Sequence, residues 1–380
     1  MLLLKTPLRL AILLWQAVIP RPFPGIGAWL RRILVMALFL PLLVLLQLLH
    51  WVGFLLDELL FPGYRKVDIR EPVFVLGVPR SGTTFLHRML ARDPAFTTFS
   101  TWECVFAPSI AERFFWRGIG RLDRLVGEPL GRLMRLAERR VLAAINGVHP
   151  VSLGAPEEDY FVFMPLLCCF ILVVPFPGAD WLWRMARFDR DLSERERVVL
   201  LNWYRRCLQK HLYANGQDST LLSKNASFAG MVNSLVDTFP DCRLVVCERD
   251  ALHAIASQFN SLAPGLKAFG GSARAPEFRD RLLDSLHFYY ENLAGIGARI
   301  ATARASLWAL SRDTRSVLTA IYAYLERPVP AAVEAGLRQY ESRSEPGSPV
   351  SSPSLSAWGL DTAELGNRFA RWRHEDNVRL

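Results

Sequence analysis

The sequence contains few residues that bind metals, and they are not spaced as ligands. Its six cysteines include no Cys-x-x-Cys pair, and its seven histidines are dispersed along the chain. These spacings argue against a zinc or iron–sulfur site, so no metal is expected and the cysteines are interpreted as buried thiols. The sequence also lacks an internal repeat, and no change of composition along it indicates a second type of domain. At 380 residues it is long enough for one large domain and an appendage.

Motifs for nucleic-acid binding are absent as well, although the chain is basic. The net charge is +9 and the isoelectric point is about 9.5. No zinc-finger or aromatic RNA-binding motif accompanies this charge, and the basic residues are scattered. The charge instead suits an anionic nucleotide, anionic lipid headgroups or an acidic acceptor. No nucleic-acid partner is therefore expected.

A glycine-rich loop follows a short apolar run at residues 73–84, VFVLGVPRSGTT. The run predicts a buried strand, and the loop from Gly77 to Gly82 precedes a predicted helix at 82–92. Backbone N–H groups of such a loop can bind a phosphate at the N-terminus of the helix. The lysine that nucleotide hydrolases place after the second glycine is absent, since Thr83 occupies that position. The loop therefore predicts phosphate binding without γ-phosphoryl transfer.

This loop resembles the phosphate-binding loop of the sulfotransferases. That family has Pro-[Lys/Arg]-Ser-Gly-Thr-Thr, which holds the 5′-phosphosulfate of 3′-phosphoadenosine-5′-phosphosulfate (PAPS). The resemblance implies an α/β fold of the P-loop type, a three-layer sandwich with a central parallel sheet, and PAPS as the cosubstrate. It extends from about residue 71 to residue 372. The matching residues are Pro79, Arg80, Ser81, Gly82, Thr83 and Thr84.

A second strand-to-helix junction lies at 238–261. Residues 242–247 are strand-like, Arg249 follows them, and Ser257 lies two turns into a predicted helix. Ligands of open α/β sheets bind at such junctions. Sulfotransferases bind the 3′-phosphate of PAPS with an arginine and a serine that are eight residues apart. Arg249 and Ser257 have this spacing, and the resemblance implies the same role for them. The alternative is an ion pair between Arg249 and a neighbouring carboxylate.

Lys224 ends a third apolar run, within the sequence LLSKNASF at 221–228. By resemblance to the family, its side chain faces the sulfonate that is transferred. A lysine at the end of a strand is otherwise usually a solvated charge. The order of the three segments along the chain favours the functional interpretation.

The group that accepts the proton of the acceptor hydroxyl is predicted to be a carboxylate or a histidine. Related sulfotransferases have a glutamate about twenty residues after the loop, and Glu103 occupies a similar place. Its apolar and aromatic neighbours are expected to raise its pKa toward a useful value. Its alternative role is that of a carboxylate at the start of a helix. A second candidate is the cluster at 149–159, which contains His149, Glu157 and Glu158.

The N-terminus is strongly hydrophobic. Residues 33–56 carry no charge and are long enough to cross a bilayer core of ~30 Å, whereas the apolar stretch at 8–19 is too short. A proline-rich break at 20–25 separates the two. The expected architecture is a membrane-anchoring helix or hairpin at 1–66, followed by a sulfotransferase-like P-loop domain at 67–380. The alternative is a hydrophobic helix that packs on the domain.

Two arguments about the side of the membrane disagree. Basic residues precede the long hydrophobic segment, and the positive-inside rule would place the domain outside. PAPS is made in the cytosol, and a hairpin broken at the prolines would keep the domain there. A domain in a Golgi-type lumen and an inverted helix are the other options. An N-glycosylation sequence, Asn225-Ala-Ser, lies within the predicted site, which is a poor place for a glycan. This favours a membrane-associated protein with its domain on the cytoplasmic face.

The rest of the chain predicts helices that alternate with strands. Strands near 220–223 and 243–247 alternate with helices, which is the pattern of a parallel sheet. A capping box at Ser193 begins one helix, and residues 281–310 are predicted to be helical. Residues 345–356 are expected to form a flexible loop, without the basic residues that clamp the nucleotide in cytosolic sulfotransferases.

Together these patterns predict a membrane-anchored, PAPS-dependent sulfotransferase. Its predicted catalytic residues are Glu103, Arg80 and Lys224. The acceptor is expected to be a hydroxyl group on a lipid, a carbohydrate or a tyrosine. The alternatives are a membrane-tethered nucleotide-binding protein without turnover and a P-loop kinase that uses ATP.

Overall fold

The computed structural model describes residues 2–20, 23–145, 152–342 and 355–373. The strands in this part of the chain are β1 (Val73–Gly77), β2 (Phe96–Thr97), β3 (Thr220–Lys224), β4 (Arg243–Glu248) and β5 (Thr302–Ser306). They pair in the order β2-β3-β1-β4-β5, and each pairing is parallel.

Helices connect these strands, and further helices precede β1 and follow β5. In chain order they are α1 (Leu2–Val18), α2 (Ile26–Leu60), α3 (Thr83–Leu90), α4 (Thr101–Phe106), α5 (Ile110–Leu125), α6 (Pro129–Ile145), α7 (Asp180–Ala186), α8 (Phe188–Asp191), α9 (Glu194–Asn215), α10 (Val232–Thr238), α11 (Ala251–Ala268), α12 (Pro276–Ile296), α13 (Leu307–Arg312), α14 (Thr314–Tyr324), α15 (Ala331–Glu341) and α16 (Thr362–Arg368).

Each face of the sheet carries its own hydrophobic core, because side chains alternate along a strand. Phe74 and Leu76 of β1 point into one core, which α9 to α12 cover. Val73 and Val75 point into the opposite core, which α3, α14 and α15 cover. Helices therefore lie on both faces, and the predicted α/β fold with a central parallel sheet is confirmed.

Local predictions around the glycine-rich loop are confirmed, since β1 and α3 match the predicted strand and helix. The capping box is confirmed as well, because the Ser193 hydroxyl accepts a hydrogen bond from the N–H of Glu196 at the start of α9. The helix predicted at 281–310 is wrong beyond residue 296, where β5 and α13 follow α12. β5 is an edge strand in which only Ala305 is buried, so it lacks the apolar alternation by which strands are predicted.

The long helix α2 lies against the domain. Arg32 donates hydrogen bonds to four backbone carbonyl groups, including those of Phe269 at 2.7 Å and Pro175 at 2.9 Å. Further along the helix, the amide of Gln47 donates to the carbonyl oxygen of Met164 at 2.8 Å. These polar side chains are buried on the side of α2 that faces the domain.

At the C-terminal end of α2, Asp57 is fully buried. Its carboxylate accepts hydrogen bonds from the N–H groups of Ile110 and Ala111 at the start of α5, at 3.0 and 2.8 Å. It also pairs with the buried ammonium group of Lys210 at 2.8 Å. Because such contacts run from Arg32 to Asp57, α2 is docked on the domain over most of its length.

Candidate active site

The glycine-rich loop turns sharply at the C-terminal end of β1. A Cβ atom at Gly77 would lie 2.5 Å from the hydroxyl oxygen of Ser81 and 2.6 Å from the carbonyl oxygen of Cys247. Glycine is therefore required where the loop folds back over the sheet. Gly82 adopts a φ of 92°, in the left-handed region. These two glycines direct the chain into the first turn of α3.

The loop and the start of α3 provide the elements of an anion site. Thr83 and Thr84 open α3, and N–H groups in the first turn of a helix have no partner within it. The buried Ser81 hydroxyl donates to the carbonyl oxygen of Val78 at 2.7 Å, which fixes the shape of the loop. Arg80 has a φ of 73°, a conformation that non-glycine residues rarely adopt outside functional loops.

The structure brings Arg80, Arg249 and Ser257 together. Arg249 Nη1 donates to the carbonyl oxygen of Arg80 at 2.7 Å, and Arg80 Nε donates to Ser257 Oγ at 3.0 Å. The hydroxyl of Tyr290 donates to the carbonyl oxygen of Arg249 at 3.0 Å and holds its backbone. Burial and then the charge of Arg80 lower the pKa of Arg249. A bound anion would relieve the repulsion between these two guanidinium groups.

Lys224 lies at the end of β3, beside Val75 of β1, and its side chain is 2% exposed. Its Nζ donates to Oε1 of Glu158 at 2.6 Å. A lysine is almost never buried without a partner, and here the partner is a carboxylate whose side chain is 22% exposed. The sheet therefore contributes a buried cation, and the segment before Asp159 contributes a carboxylate that is partly exposed to solvent.

The segment that carries Glu158 is held against the start of α4. The N–H of Glu157 donates to the carbonyl oxygen of Phe99 at 2.9 Å. The hydroxyl of Thr101 donates to Oε2 of Glu157 at 3.3 Å. Glu157 is thus part of the framework, while Glu158 turns toward Lys224.

On the other side of Glu158, the buried Asp159 anchors the chain. Its Oδ2 accepts a hydrogen bond from the hydroxyl of Tyr204 at 2.6 Å, and Tyr204 also contacts Ser223 at 3.2 Å. Burial raises the pKa of Asp159 to about 6. His149, the remaining candidate of this cluster, lies outside the described residues.

Glu103 has surroundings unlike those expected from the sequence. It completes the capping box of α4, accepting hydrogen bonds from the N–H and hydroxyl groups of Ser100 at 3.0 and 2.9 Å. Its other oxygen accepts a hydrogen bond from Asn215 at 2.9 Å and lies 3.9 Å from the buried guanidinium group of Arg113. Both carboxylate oxygens of Glu103 are therefore engaged by the protein.

The expected rise in the pKa of Glu103 is wrong. Burial does raise this pKa, but the charge of Arg113 and the hydrogen bonds from Ser100 and Asn215 outweigh burial, and the pKa falls to about 2. The neighbouring residues in sequence are apolar, whereas the groups that decide the pKa come from α5 and α9. A carboxylate with so low a pKa is a weak proton acceptor.

Sequence reasoning missed three side chains that hold the site in place. Thr101 supports Glu157, Tyr204 supports Asp159, and Tyr290 supports Arg249. The tyrosines lie within amphipathic helices, where nothing in the local pattern distinguishes them from ordinary core residues. In the part of the chain that the structure describes, no group of three or more histidine, cysteine, aspartate or glutamate side chains is placed to bind a metal ion.

A second functional feature is a large exposed hydrophobic surface on α1 and α2, which pack together. Among the described residues, α2 alone is long and apolar enough to cross a bilayer, and 22% of its most hydrophobic stretch is buried. Exposed hydrophobic surfaces of this extent mark interaction sites. We define the apolar face as the exposed side chains of Leu8, Leu14, Trp15, Val18, Ile19, Phe23, Ile26, Leu30, Leu34, Leu38, Leu42, Leu45, Leu48, Leu49, Val52, Leu55, Leu59 and Leu60.

Comparisons with known proteins agree on one family. A model of the sulfotransferase family matches residues 72–331. The chain is similar to sulfotransferase STF1 from Mycobacterium tuberculosis H37Rv, with a TM-score of 0.69, 20% identity and coverage of 96% of this chain and 91% of that one. It is also similar to sulfotransferase STF9 from Mycobacterium avium, with a TM-score of 0.65, 20% identity and coverage of 84% and 80%. No curated protein matches the chain. At this identity the solved structures show the fold alone.

Proposed function

Because the chain belongs to the sulfotransferase family, we propose that it transfers a sulfonate group from PAPS to a hydroxyl acceptor. The observation that carries the proposal is the convergence of three segments at one edge of the sheet. The loop after β1, Lys224 at the end of β3 and Arg249 after β4 belong to neighbouring strands. Ligands of parallel sheets bind at this carboxyl edge.

In this proposal the protein holds both phosphate groups of the nucleotide. The 5′-phosphosulfate lies against the loop from Pro79 to Thr84, where the N–H groups at the start of α3 face it. Arg249 and Ser257 bind the 3′-phosphate. Arg80 contacts both of these residues, which supports its place between the two phosphates.

The proposed chemistry is divided between the sulfonate side and the acceptor side. The acceptor oxygen attacks sulfur in line, and the bond between sulfur and the bridging oxygen breaks, so that the 5′-phosphate leaves with the electron pair. Lys224 and Arg80 stabilise the charge that develops on that oxygen. The proton of the acceptor hydroxyl passes to Glu158 as the new bond forms.

We assign the proton acceptor to Glu158 in preference to Glu103. The carboxylate of Glu158 lies 2.6 Å from Lys224, so it is next to the group that faces the sulfonate, and it is accessible. Glu103 is enclosed by its own hydrogen bonds and has a pKa of about 2. Glu103 is therefore proposed to stabilise the framework of the site.

The assignment of the 3′-phosphate predicts a selective loss of affinity. Arg249→Ala should weaken binding of 3′-phosphoadenosine-5′-phosphate by about 1.5–3 kcal/mol, since a charge-assisted contact is lost. Adenosine 5′-phosphate, which lacks the 3′-phosphate, should bind nearly as before. Isothermal titration of both nucleotides measures the difference. Arg304→Ala is the matched control, because Arg304 pairs with Glu248 on the adjacent strand; equal losses for both nucleotides in Arg249→Ala would show that Arg249 is structural.

Two functions from other classes fit the site less well. A P-loop kinase that uses ATP has a lysine where Thr83 lies. A nucleotide-binding protein without turnover has no need of a buried lysine paired with an accessible carboxylate, as Lys224 and Glu158 are. Both observations support catalysis of sulfonate transfer.

We further propose that the apolar face attaches the protein to one leaflet of a membrane and that α2 does not cross it. A helix of 35 residues is about 52 Å long, which exceeds the bilayer core of about 30 Å. Its polar side is bonded to the domain from Arg32 to Asp57, so α2 fits the geometry of a helix that lies in the plane of the interface. The proposed acceptor is a hydroxyl group of a lipid or a lipid-linked molecule, with carbohydrate and tyrosine hydroxyls as alternatives.

The proposal places the domain on the cytoplasmic face, where PAPS is supplied. Asn225, the asparagine of the N-glycosylation sequence, is fully buried, and its Oδ1 accepts a hydrogen bond from the N–H of Ser227. Such a side chain is unavailable to a glycan. The buried position is compatible with the proposed cytoplasmic location.

Membrane attachment through the apolar face predicts the behaviour of a surface variant. The triple substitution Leu34→Gln, Leu38→Gln and Leu45→Gln should abolish co-sedimentation with lipid vesicles and leave nucleotide affinity unchanged, because these side chains are 75%, 78% and 53% exposed. Val198→Gln, at an exposed position on α9, is the control. Sedimentation of the triple variant at the wild-type level would refute attachment by this face. Deletion of α2 is unsuitable for this test, because it would leave Lys210 buried without Asp57.

A further inference from the structure

A cavity of about 380 Å³ opens between α4 and α5. The Glu158–Lys224 pair and the residues proposed for the nucleotide do not line it. Its lining consists of two tryptophans, three arginines and a glycine: Trp102, Trp116, Arg117, Gly120, Arg121 and Arg124. Aromatic walls with several guanidinium groups and no carboxylate suit an anionic group that carries apolar substituents.

The three arginines share one side of α5 but differ in their bonding. Their spacing of four and then three residues places them in a row along the helix. Arg117 is held by the protein, since it donates to the carbonyl oxygen of Ala214 at 2.8 Å and lies 3.6 Å from Glu103. Arg121 and Arg124 are exposed. Among the residues that the structure describes, no carboxylate forms an ion pair with either of them.

Acidic side chains near the cavity form hydrogen bonds or ion pairs with groups outside it. Asp123 accepts hydrogen bonds from the N–H groups of Leu130 and Gly131 at the start of α6, both at 2.8 Å. Glu128 lies 3.3 Å from Arg135. The positive charge of Arg121 and Arg124 is therefore not neutralised by these neighbours, and an external anion can pair with it.

The tryptophans form fixed walls of the cavity. The indole N–H of Trp116 donates to the carbonyl oxygen of Phe106 at 3.2 Å. The guanidinium carbon of Arg117 lies 6.0 Å from the centre of the Trp102 ring. Because tryptophan is the side chain preferred at the level of lipid headgroups, these walls fit an interfacial position.

Most of the cavity lining belongs to α5, a helix that contacts the element carrying most of the apolar face. α5 packs on α2, with the rings of Phe61 and Phe114 5.4 Å apart. α5 also exposes large hydrophobic side chains of its own, at Phe115, Leu122 and Leu125. A basic helix with such side chains lies at the boundary between headgroups and acyl chains. On a membrane bound through the apolar face, the arginines of α5 would lie near the level of the lipid phosphates.

We propose that this cavity binds the phosphate headgroup of an anionic glycerophospholipid, with Arg121 and Arg124 as the phosphate ligands. The inference rests on the membrane attachment in the proposed function. Trp102 follows Thr101, whose hydroxyl contacts Glu157, so a lipid bound here lies beside the helix that supports the proposed acceptor site. The cavity would orient the domain on an anionic membrane.

The test compares vesicles of phosphatidylcholine alone with vesicles that also contain phosphatidylglycerol. Wild-type full-length protein should bind the anionic vesicles about 10- to 30-fold more tightly, as expected for two arginines near an anionic surface. The double substitution Arg121→Gln and Arg124→Gln should remove this preference, while binding to neutral vesicles and affinity for 3′-phosphoadenosine-5′-phosphate stay at the wild-type level. Excess inorganic phosphate should not displace the anionic vesicles; displacement would show a site for free phosphate and overturn the lipid assignment.

The double substitution Arg132→Gln and Arg195→Gln is the matched control, since it removes the same charge from exposed positions on α6 and α9 that do not line the cavity. An equal loss of preference in this control would show diffuse electrostatic attraction and overturn the cavity as a site. Equal binding of the wild type to both kinds of vesicle would overturn the headgroup site but leave membrane attachment intact. Absence of binding to either kind would overturn both.

Discussion

Glu158→Gln should lower turnover by about 10²–10⁴-fold, the usual contribution of a positioned general base. The substitution keeps the shape of the side chain, so the affinity for 3′-phosphoadenosine-5′-phosphate should change little. Transfer of radiolabelled sulfonate from PAPS to a soluble phenol such as p-nitrophenol, and to a membrane lipid extract, measures the effect. A fall in turnover without a fall in affinity is what the contact with Lys224 at 2.6 Å predicts.

Glu103→Gln is the matched control for this experiment, because it makes the same chemical change at the other candidate carboxylate. Its turnover should stay within a few-fold of the wild-type value under conditions in which the variant is folded. The opposite pattern, with Glu103→Gln inactive and Glu158→Gln active, would return the base to Glu103. Loss of turnover in His149→Ala alone would assign it to the histidine.

Glu103→Gln should instead lower the free energy of unfolding at pH 7 by about 3 kcal/mol. The folded protein holds the pKa of Glu103 at about 2, below its ordinary value of 4.5, because Arg113 and hydrogen bonds favour the charged form against the effect of burial. A depressed pKa contributes stability that is present above pH 4.5 and is lost as the pH falls toward 2. The difference between wild type and variant should therefore shrink to about half by pH 3.

Urea unfolding of both proteins at pH 7 and pH 3, followed by tryptophan fluorescence, measures this difference. Glu128→Gln, which removes a carboxylate from an exposed pair with Arg135, is the control and should change the free energy of unfolding by less than about 1 kcal/mol. A difference between wild type and Glu103→Gln that is the same at both pH values would contradict the charge-based account.

The geometry of the glycine-rich loop and of the Arg249–Ser257 junction was predictable because its determinants are local in sequence. A buried β-branched strand, two glycines in a tight turn and a helix start fix the loop from Gly77 to Gly82 with little help from the rest of the chain. The eight-residue spacing of Arg249 and Ser257 spans one strand-to-helix junction. Parallel pairing of adjacent strands then brings both segments to the same edge.

The surroundings of Glu103 and Glu158 were less predictable because their electrostatics depend on distant parts of the chain. The sequence around Glu103 is apolar, but its pKa is set by Arg113 and Asn215, which arrive from α5 and α9. The sequence included Glu158 in a cluster of candidates, yet its contact with Lys224 joins residues 66 positions apart. No local pattern indicates which of two neighbouring glutamates will turn toward the sheet.

The N-terminal helices illustrate the same limit. Composition alone predicted a segment able to cross a membrane, and α2 contains a stretch apolar enough to do so. The polar residues spaced along it, Arg32, Gln47, His50 and Asp57, are few and widely separated. Their role became apparent only through their partners, which lie on the domain and make α2 a docked helix with one outward apolar side.

The central claim, that the site binds PAPS as a sulfonate donor, is tested most directly by titrating the purified full-length protein with 3′-phosphoadenosine-5′-phosphate and with ATP and Mg²⁺. The account predicts that the bisphosphate nucleotide binds and that ATP neither binds comparably nor displaces it, because Arg249 and Ser257 recognise a 3′-phosphate that ATP lacks. Binding of ATP with Mg²⁺ as tight as that of 3′-phosphoadenosine-5′-phosphate would contradict the account.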